Sequence, residues 1–105
     1  RRLFIVEEPE VHLHPKLQAN LADFFLETSA SIQWIIETHS ENLLLRTQRR
    51  IREGVLAVDK VCVLYVQKGG DGSKVSELRM DENGNFIDPW PDGFFEEGFR
   101  EMFGL

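Results

Sequence analysis

The chain has 105 residues, of which 42% are hydrophobic and 29% charged, with a formal net charge of −6. This is the composition of one small folded domain. It excludes a disordered chain, and no apolar run approaches the roughly 20 residues that span a bilayer. An acidic chain is a poor general partner for nucleic acid. The one cysteine, Cys62, lies in an apolar run, which predicts a buried thiol, no disulfide framework and a reducing, cytoplasmic setting.

Short apolar runs alternate with amphipathic segments along the first two thirds of the chain. We predict strands at residues 3–6, 32–36 and 59–67, and helices at residues 15–28 and 41–52. A proline that opens the first helix, and a serine before and a glycine after the second, favour these helix boundaries. This order of elements is typical of βαβ units, so we expect a parallel sheet covered on both faces.

The final third of the chain has a different pattern. Residues 68–73 are rich in glycine and predict a turn, residues 75–80 predict a strand, and Asn83-Gly84 is a strong hairpin signal. After a break at two prolines, Asp92 is expected to cap a last helix. The aromatic residues of this region are expected to form a core or cover a sheet edge, with a protein-docking surface as the alternative. They are Trp90, Phe94, Phe95, Phe99 and Phe103.

Two adjacent acids, Glu7 and Glu8, directly follow the first predicted strand. The carboxyl ends of parallel strands are where open α/β folds bind their ligands. Phosphoryl transfer needs an acid that helps to hold Mg²⁺ and a group that positions the attacking water. Adjacent acids that point to different sides would serve one task each. The alternative is that both acids are simply solvated.

The residues around these acids resemble a known motif. Residues 7–15 (EEPEVHLHP) resemble the Walker B and D-loop segment of ABC-type ATPases, most closely the branch with the OLD (overcoming lysogenisation defect), RecF- and SMC-like proteins. Residues 35–40 (IIETHS) resemble the switch segment, or H-loop, of the same family. The second motif lies one helix and one strand after the first, which is the order found in the family.

The resemblance implies a role for each matching residue. Glu7 matches the Walker B acid that helps to hold Mg²⁺ through water, although many family members have Asp there. Glu8 matches the catalytic glutamate that polarises the attacking water, and His39 matches the switch histidine that reaches the γ-phosphate. The D-loop, which in the family crosses to the opposing protomer, is matched by His12, Leu13 and His14.

Two parts of the family's site are not in this sequence. It has no Gly-x-x-x-x-Gly-Lys-Ser/Thr loop to cradle phosphates and no ABC signature segment, which both lie N-terminal to Walker B in the family. Residues 69–74 have Ser before Lys and precede a predicted strand, so we interpret them as a turn. With the apolar run that opens the chain, these features predict a piece of a longer parent that does not hydrolyse ATP alone.

A second resemblance covers residues 80–97, which look like a short C-terminal domain of unknown function that ends a group of bacterial predicted ATPases. We therefore predict that residues 1–67 are the C-terminal part of an ABC-type ATPase head and that residues 68–105 are a hairpin-helix domain. The predicted fold class is α/β, a partial P-loop NTPase-type sheet with flanking helices plus a C-terminal β-hairpin and helix. The resemblance implies ATP and Mg²⁺ as cofactors and a homodimer formed through the ATPase heads, with a partner protein as a further candidate.

Two other functions are compatible with parts of the sequence. His12, His14, His39 and Cys62, with the acids, offer ligands for a metal-dependent hydrolase, but they lack the His-Glu-x-x-His spacing of a zincin helix. The chain is also compatible with a non-catalytic interaction or dimerisation module derived from such an ATPase. The presence of Glu8 and His39 argues against that alternative.

Four arginines make a local basic stretch on the second predicted helix. We interpret them as a solvated helix face balanced by Glu41 and Glu53. The alternative is a contact with nucleic acid or with an acidic partner. These residues are Arg46, Arg49, Arg50 and Arg52.

Overall fold

Two units make up the chain, and the division between them falls after Arg50. The computed structural model describes residues 2–89. The described residues form two α-helices and two short sheets. This combination of helices and strands fits the predicted α/β class. The helix predicted after Asp92 lies outside the described residues. No helix within the described part of the chain is long and apolar enough to cross a membrane.

Parallel pairing joins the first two strands. Strand β1 (Arg2–Glu7) and strand β2 (Ile32–Glu37) pair in parallel, in a register that sets Glu7 beside Glu37. The connection between them contains helix α1 (Pro15–Thr28), as a parallel crossover requires. The two predicted strands, their parallel pairing and the helix between them are confirmed.

Aromatic packing holds α1 against one face of this sheet. Phe4 and Trp34 are neighbours across the two strands, and their rings stack with centroids 5.4 Å apart. Phe25 of α1 meets Trp34 edge-on at 4.8 Å, and Phe24 lies 5.9 Å away. The Trp34 indole N–H also donates to the Thr28 hydroxyl at 2.8 Å, so the last turn of α1 is tied to β2. Aromatic pairs in these geometries add to the free energy of simple burial.

The opposite face of the sheet is exposed. Leu3, Ile5 and Ile35 point to that side and are 55%, 68% and 48% exposed. The prediction that these strands are covered on both faces is therefore wrong for the described residues. Successive side chains of a strand point to opposite faces of the sheet. Helix α1 packs on the face that carries Phe4 and Trp34, so the side chains on the other face stay exposed.

Helix α2 (Glu41–Arg52) begins and ends where the sequence predicts. The Ser40 hydroxyl oxygen accepts from the Leu43 amide at 3.3 Å, which is the hydrogen bond of an N-cap residue. After the last turn, Gly54 adopts a φ of 77° and its amide donates to the Ile51 carbonyl at 3.0 Å. A left-handed glycine at this position is a common helix end.

The third predicted strand has a different partner from the one expected. Strand β3 (Leu64–Gly69) pairs antiparallel with strand β4 (Gly72–Glu77) in a separate sheet, and residues 58–60 form a 3-10 turn. The prediction of a third parallel strand over residues 59–67 is therefore wrong. Only two residues connect β3 to β4, and so short a connection permits only an antiparallel hairpin. The turn predicted over residues 68–73 is confirmed only at residues 70 and 71, because the residues on either side belong to the paired strands.

Cys62 is exposed, so the predicted buried thiol is also wrong. Exposure alternates through this segment, with Val61 and Val63 half-buried and Cys62 and Leu64 exposed. In an extended chain successive side chains point to opposite sides. An apolar run therefore does not bury all of its members when only one side is covered.

A second turn follows β4, and its sequence signal is confirmed. Gly84 has a φ of 77°, and the Asp81 amide donates to the Asn85 carbonyl at 2.8 Å. Met80 and Phe86 form an antiparallel bridge across the turn. The strand predicted over 75–80 thus begins and ends about three residues earlier, and the Asn83-Gly84 hairpin is limited to a short bridge.

Candidate functional site

The structure brings together the two residues that the sequence assigns to catalysis. Glu8 follows β1, and its amide donates to the Glu37 carbonyl at 2.6 Å, so the pairing with β2 extends one residue beyond the strands. His39 lies two residues after the end of β2. The Glu8 Oε1 and His39 Nε2 atoms are 3.2 Å apart, with side chains 45% and 77% exposed. The parallel register therefore places a carboxylate and an imidazole in contact at the carboxyl edge of the sheet.

Glu8 and His12 both have left-handed backbones. Their φ angles are 43° and 69°, and they are the non-glycine residues with positive φ in the described chain. Such a conformation is uncommon for residues with a Cβ, and strain of this kind clusters at functional sites. At Glu8 it turns the chain sharply at the end of β1, which directs the carboxylate toward the switch segment.

Glu7 is exposed at the same edge of the sheet, beside Glu37. Within residues 2–89, no three His, Cys, Asp or Glu side chains gather as a metal cage. Magnesium seldom uses such a cage, since it keeps several waters and binds through one or two carboxylates and substrate phosphates. The exposed Glu7 carboxylate fits that kind of site, and the arrangement does not match a three-ligand zinc centre.

The predicted D-loop residues form a tight turn that leads into α1. The Leu13 amide donates to the Glu10 carbonyl at 2.9 Å, and the Leu13 carbonyl accepts from the Gln18 side-chain amide at 3.0 Å. His14 caps α1, because its Nδ1 accepts from the Lys16 amide at 3.2 Å. The side chains of His12 and His14 are exposed. The loop is therefore held by its backbone while its imidazoles face solvent.

Glu10 is a site residue that the sequence interpretation missed. It is only 6% exposed, and its Oε1 accepts from the Thr38 hydroxyl at 2.6 Å and from the His39 amide at 3.3 Å. Its Oε2 is buried and has no hydrogen-bond partner in the described chain. In the sequence Glu10 is one acid in a polar stretch, a pattern typical of a solvated turn. Nothing in the local pattern indicates a contact 28 residues away.

A second set of hydrogen bonds connects α1 with the start of α2. The Gln18 Oε1 atom accepts from the Ser40 hydroxyl at 2.8 Å and from the Asn42 side chain at 3.2 Å. Through its other side-chain atom Gln18 also holds the Leu13 carbonyl. The turn before α1 and the turn before α2 are thus linked by one side chain.

An open hollow of about 400 Å³ lies over these turns. Its lining includes Glu10, His12, Gln18, His39 and Asn42. The walls are mostly polar, with Val11 as an apolar member, and the start of α2 contributes to them. The hollow collects residues from both sequence motifs, so the two motifs form one surface.

Arg46 and Arg50 of α2 both pair with Asp23 of α1. Arg46 Nη1 lies 2.5 Å from Asp23 Oδ2, and Arg50 Nε lies 2.9 Å from Asp23 Oδ1. The hydrogen bond from Arg50, with that from Arg46, holds the pKa of the Asp23 carboxyl below its ordinary value against the opposing effect of desolvation. The sequence interpretation did not indicate this role of Asp23, and the balance of the remaining arginines by Glu41 and Glu53 stays a prediction.

Comparisons with known families divide the chain in two. Residues 1–46 match the family described as "AAA domain, putative AbiEii toxin, Type IV TA system". Residues 56–105 match the family described as "Protein of unknown function (DUF3696)". The first match covers the paired acids, the turn that follows them and His39, so the N-terminal segment is similar to an AAA-type ATPase domain. No curated protein and no solved structure matches the chain.

Proposed function

We propose that this chain supplies half of an ATP-hydrolysing site: the acids that position metal and water, and the histidine that contacts the γ-phosphate. The observation that carries the proposal is the 3.2 Å contact between Glu8 and His39 at the carboxyl edge of the parallel sheet. The similarity of residues 1–46 to an AAA domain supports it. A solvated pair of acids would need no such contact.

Glu8 is suited to orient the attacking water. Its carboxylate is partly exposed, so a water molecule can reach it, while the turn at Glu8 limits the directions in which the side chain can point. A positioned carboxylate of this kind contributes roughly 10²- to 10⁴-fold to rate as a general base. His39 Nε2 lies 3.2 Å from Glu8 Oε1 in the structure, and a phosphate oxygen at the same edge would accept a hydrogen bond from that nitrogen.

Glu7 is the residue that would hold Mg²⁺ at this edge, through water. When bound, the ion neutralises charge on the transferred phosphoryl group. Glu37, the neighbour of Glu7 in the sheet, adds a second carboxylate to the local field. Two exposed acids side by side repel each other, and a divalent cation would relieve that repulsion.

The rest of the site must come from elsewhere, because this sequence has no phosphate-binding loop. We propose that the sheet belongs to an ABC-type P-loop head in which ATP-Mg²⁺ is held between two copies. The turn at residues 12–14, with His12, Leu13 and His14, would then contact the opposing copy. A homodimeric cytoplasmic ATPase follows from this proposal.

The test is Glu8→Gln in the full-length protein that carries this chain. We expect turnover to fall by about 10²- to 10⁴-fold while ATP still binds, and the closed dimer to accumulate in size-exclusion chromatography with ATP. Glu27→Gln is the matched control, because Glu27 is an exposed acid of the same unit away from the site. Normal turnover by Glu8→Gln would refute the assignment of Glu8.

The alternative is a non-catalytic dimerisation module derived from such an ATPase. It predicts that ATP drives dimer formation in the wild-type protein with no release of phosphate. Hydrolysis that depends on Glu8 excludes it. The 105-residue chain alone is expected to release no phosphate under either function.

A further inference from the structure

We propose that Glu10 is a positioning residue that holds the switch segment so that His39 faces Glu8. The inference rests on the proposed function, since the reaction it serves is ATP hydrolysis. Glu10 is only 6% exposed, its Oε1 accepts from Thr38 and His39, and its Oε2 is buried, so the carboxylate is not free to act on substrate directly. Its effect on chemistry has to pass through the segment that it binds.

The switch segment needs an anchor of this kind. Pairing of β1 with β2 ends at Glu37, and the His39 side chain is 77% exposed, so packing contributes little to its position. Glu10 Oε1 holds the segment at two points, the Thr38 hydroxyl and the His39 amide. The Thr38 hydroxyl oxygen also accepts from the Ser40 amide at 2.9 Å. The backbone on both sides of His39 is therefore fixed from one buried carboxylate.

The carboxylate of Glu10 favours a positioning role over a purely structural one. Hydrogen bonds to an ionised acceptor are shorter and about twice as strong as neutral ones, and the Thr38 contact of 2.6 Å is short. The second oxygen, Oε2, is buried without a partner among the described residues, and this arrangement costs free energy. A glutamine would keep the Oε1 acceptor and remove the buried charge. Stability alone therefore gives little reason for a carboxylate here.

We therefore expect Glu10→Gln to lower the activity of the protein without lowering its stability. We expect the midpoint of thermal unfolding to stay near the wild-type value, because one buried charge is removed as two hydrogen bonds weaken. We expect kcat to fall roughly 10- to 100-fold, since a small displacement of a catalytic group has effects of that size. The KM for ATP should change little, and hydrogen exchange of the His39 amide should become faster.

A double variant tests whether Glu10 acts through His39. His39→Ala removes the imidazole, and Glu10→Gln added to it should cause no further loss of kcat in the full-length protein. Independent effects would instead multiply. Thr38 gives a second test that leaves Glu10 intact: Thr38→Ser keeps the hydroxyl and should retain kcat, whereas the near-isosteric Thr38→Val should lower it.

The outcomes distinguish this inference from the function on which it rests. If the wild type hydrolyses ATP and Glu8→Gln does not, but Glu10→Gln equals the wild type or multiplies with His39→Ala, the positioning role is overturned and the ATPase stands. A wild type that releases no phosphate refutes both. If Glu10→Gln does not fold, the Thr38 pair decides, and equal kcat in its serine and valine variants overturns the proposal.

Discussion

The clearest quantitative prediction concerns Asp23, which joins the two helices of the first unit. Its two carboxylate oxygens are shared between Arg46 and Arg50 of α2. Asp23→Asn keeps the shape of the side chain but removes the charge. Both guanidinium groups then lose the ionic contact with Asp23 while remaining in a half-buried position.

The expected loss can be worked from the exposure of the three side chains. They are 21%, 19% and 28% exposed for Asp23, Arg46 and Arg50. Exposed ion pairs contribute about 0.2–1 kcal/mol, and breaking a fully buried pair costs about 3–5 kcal/mol. A mostly covered triad lies between these limits, so we expect a loss of about 2 kcal/mol. In a chain of this size that lowers the melting temperature by about 10 °C.

Urea unfolding followed by circular dichroism measures this loss, and pH gives an independent check. The pKa of Asp23 is lowered from an ordinary value of 3.8, chiefly by the Arg50 hydrogen bond. Its stabilising effect is therefore complete above pH 3.8 and is lost as the pH falls through the lower folded value. The difference in the free energy of unfolding between the wild type and Asp23→Asn should be constant near neutral pH and should shrink in strong acid.

The control for Asp23 is Glu27→Gln, which removes an exposed carboxylate from the same helix. We expect it to change the free energy of unfolding by less than about 0.5 kcal/mol. If Asp23→Asn and Glu27→Gln cost the same, the two arginine contacts contribute nothing to stability and the reasoning fails.

Three further predictions concern single side chains. Asp88 should titrate with a pKa of about 2 in an NMR pH series because Arg79 hydrogen-bonds it, and Arg79→Gln should return the pKa toward 3.8; an unchanged value would contradict the pairing. His12→Gly should be more stable than His12→Ala by about 1 kcal/mol in urea, because only glycine adopts a φ of 69° without strain, and equal stability would argue against this backbone. Ser40→Ala should lose about 1 kcal/mol through the α2 cap while Ser40→Thr loses less, and indistinguishable variants would show that the cap does not contribute.

The elements that could be predicted from the sequence are those with local causes. Helix α1 begins at Pro15 and ends at Thr28 as predicted, because proline and the spacing of apolar residues act within one helix. Helix α2 follows from Ser40 and Gly54 for the same reason. The proximity of Glu8 and His39 could also be predicted from the sequence, since parallel strands align their carboxyl ends.

Features that depend on which segments pair, or on which side of a segment is covered, could not be predicted in this way. A valine-rich run indicates a strand but not its partner, so the antiparallel pairing of β3 was missed. The burial of Cys62 was misjudged because exposure depends on which side of the segment is covered. Glu10 has no local signal, and its contact with Thr38 exists only because β1 and β2 align. The left-handed backbones of Glu8 and His12 have no compositional mark either.

The cap at the start of α1 also determines where His14 carries its hydrogen. Its Nδ1 accepts from the Lys16 amide, and an accepting nitrogen cannot be protonated. The neutral ring is therefore the Nε2–H tautomer, which presents a donor to solvent from the exposed side of the turn. A second proton on the ring would turn the Nδ1 acceptor into a donor facing another donor, and the first turn of α1 would lose that bond. The hydrogen bond that caps α1 therefore also fixes which nitrogen of the His14 ring donates to solvent.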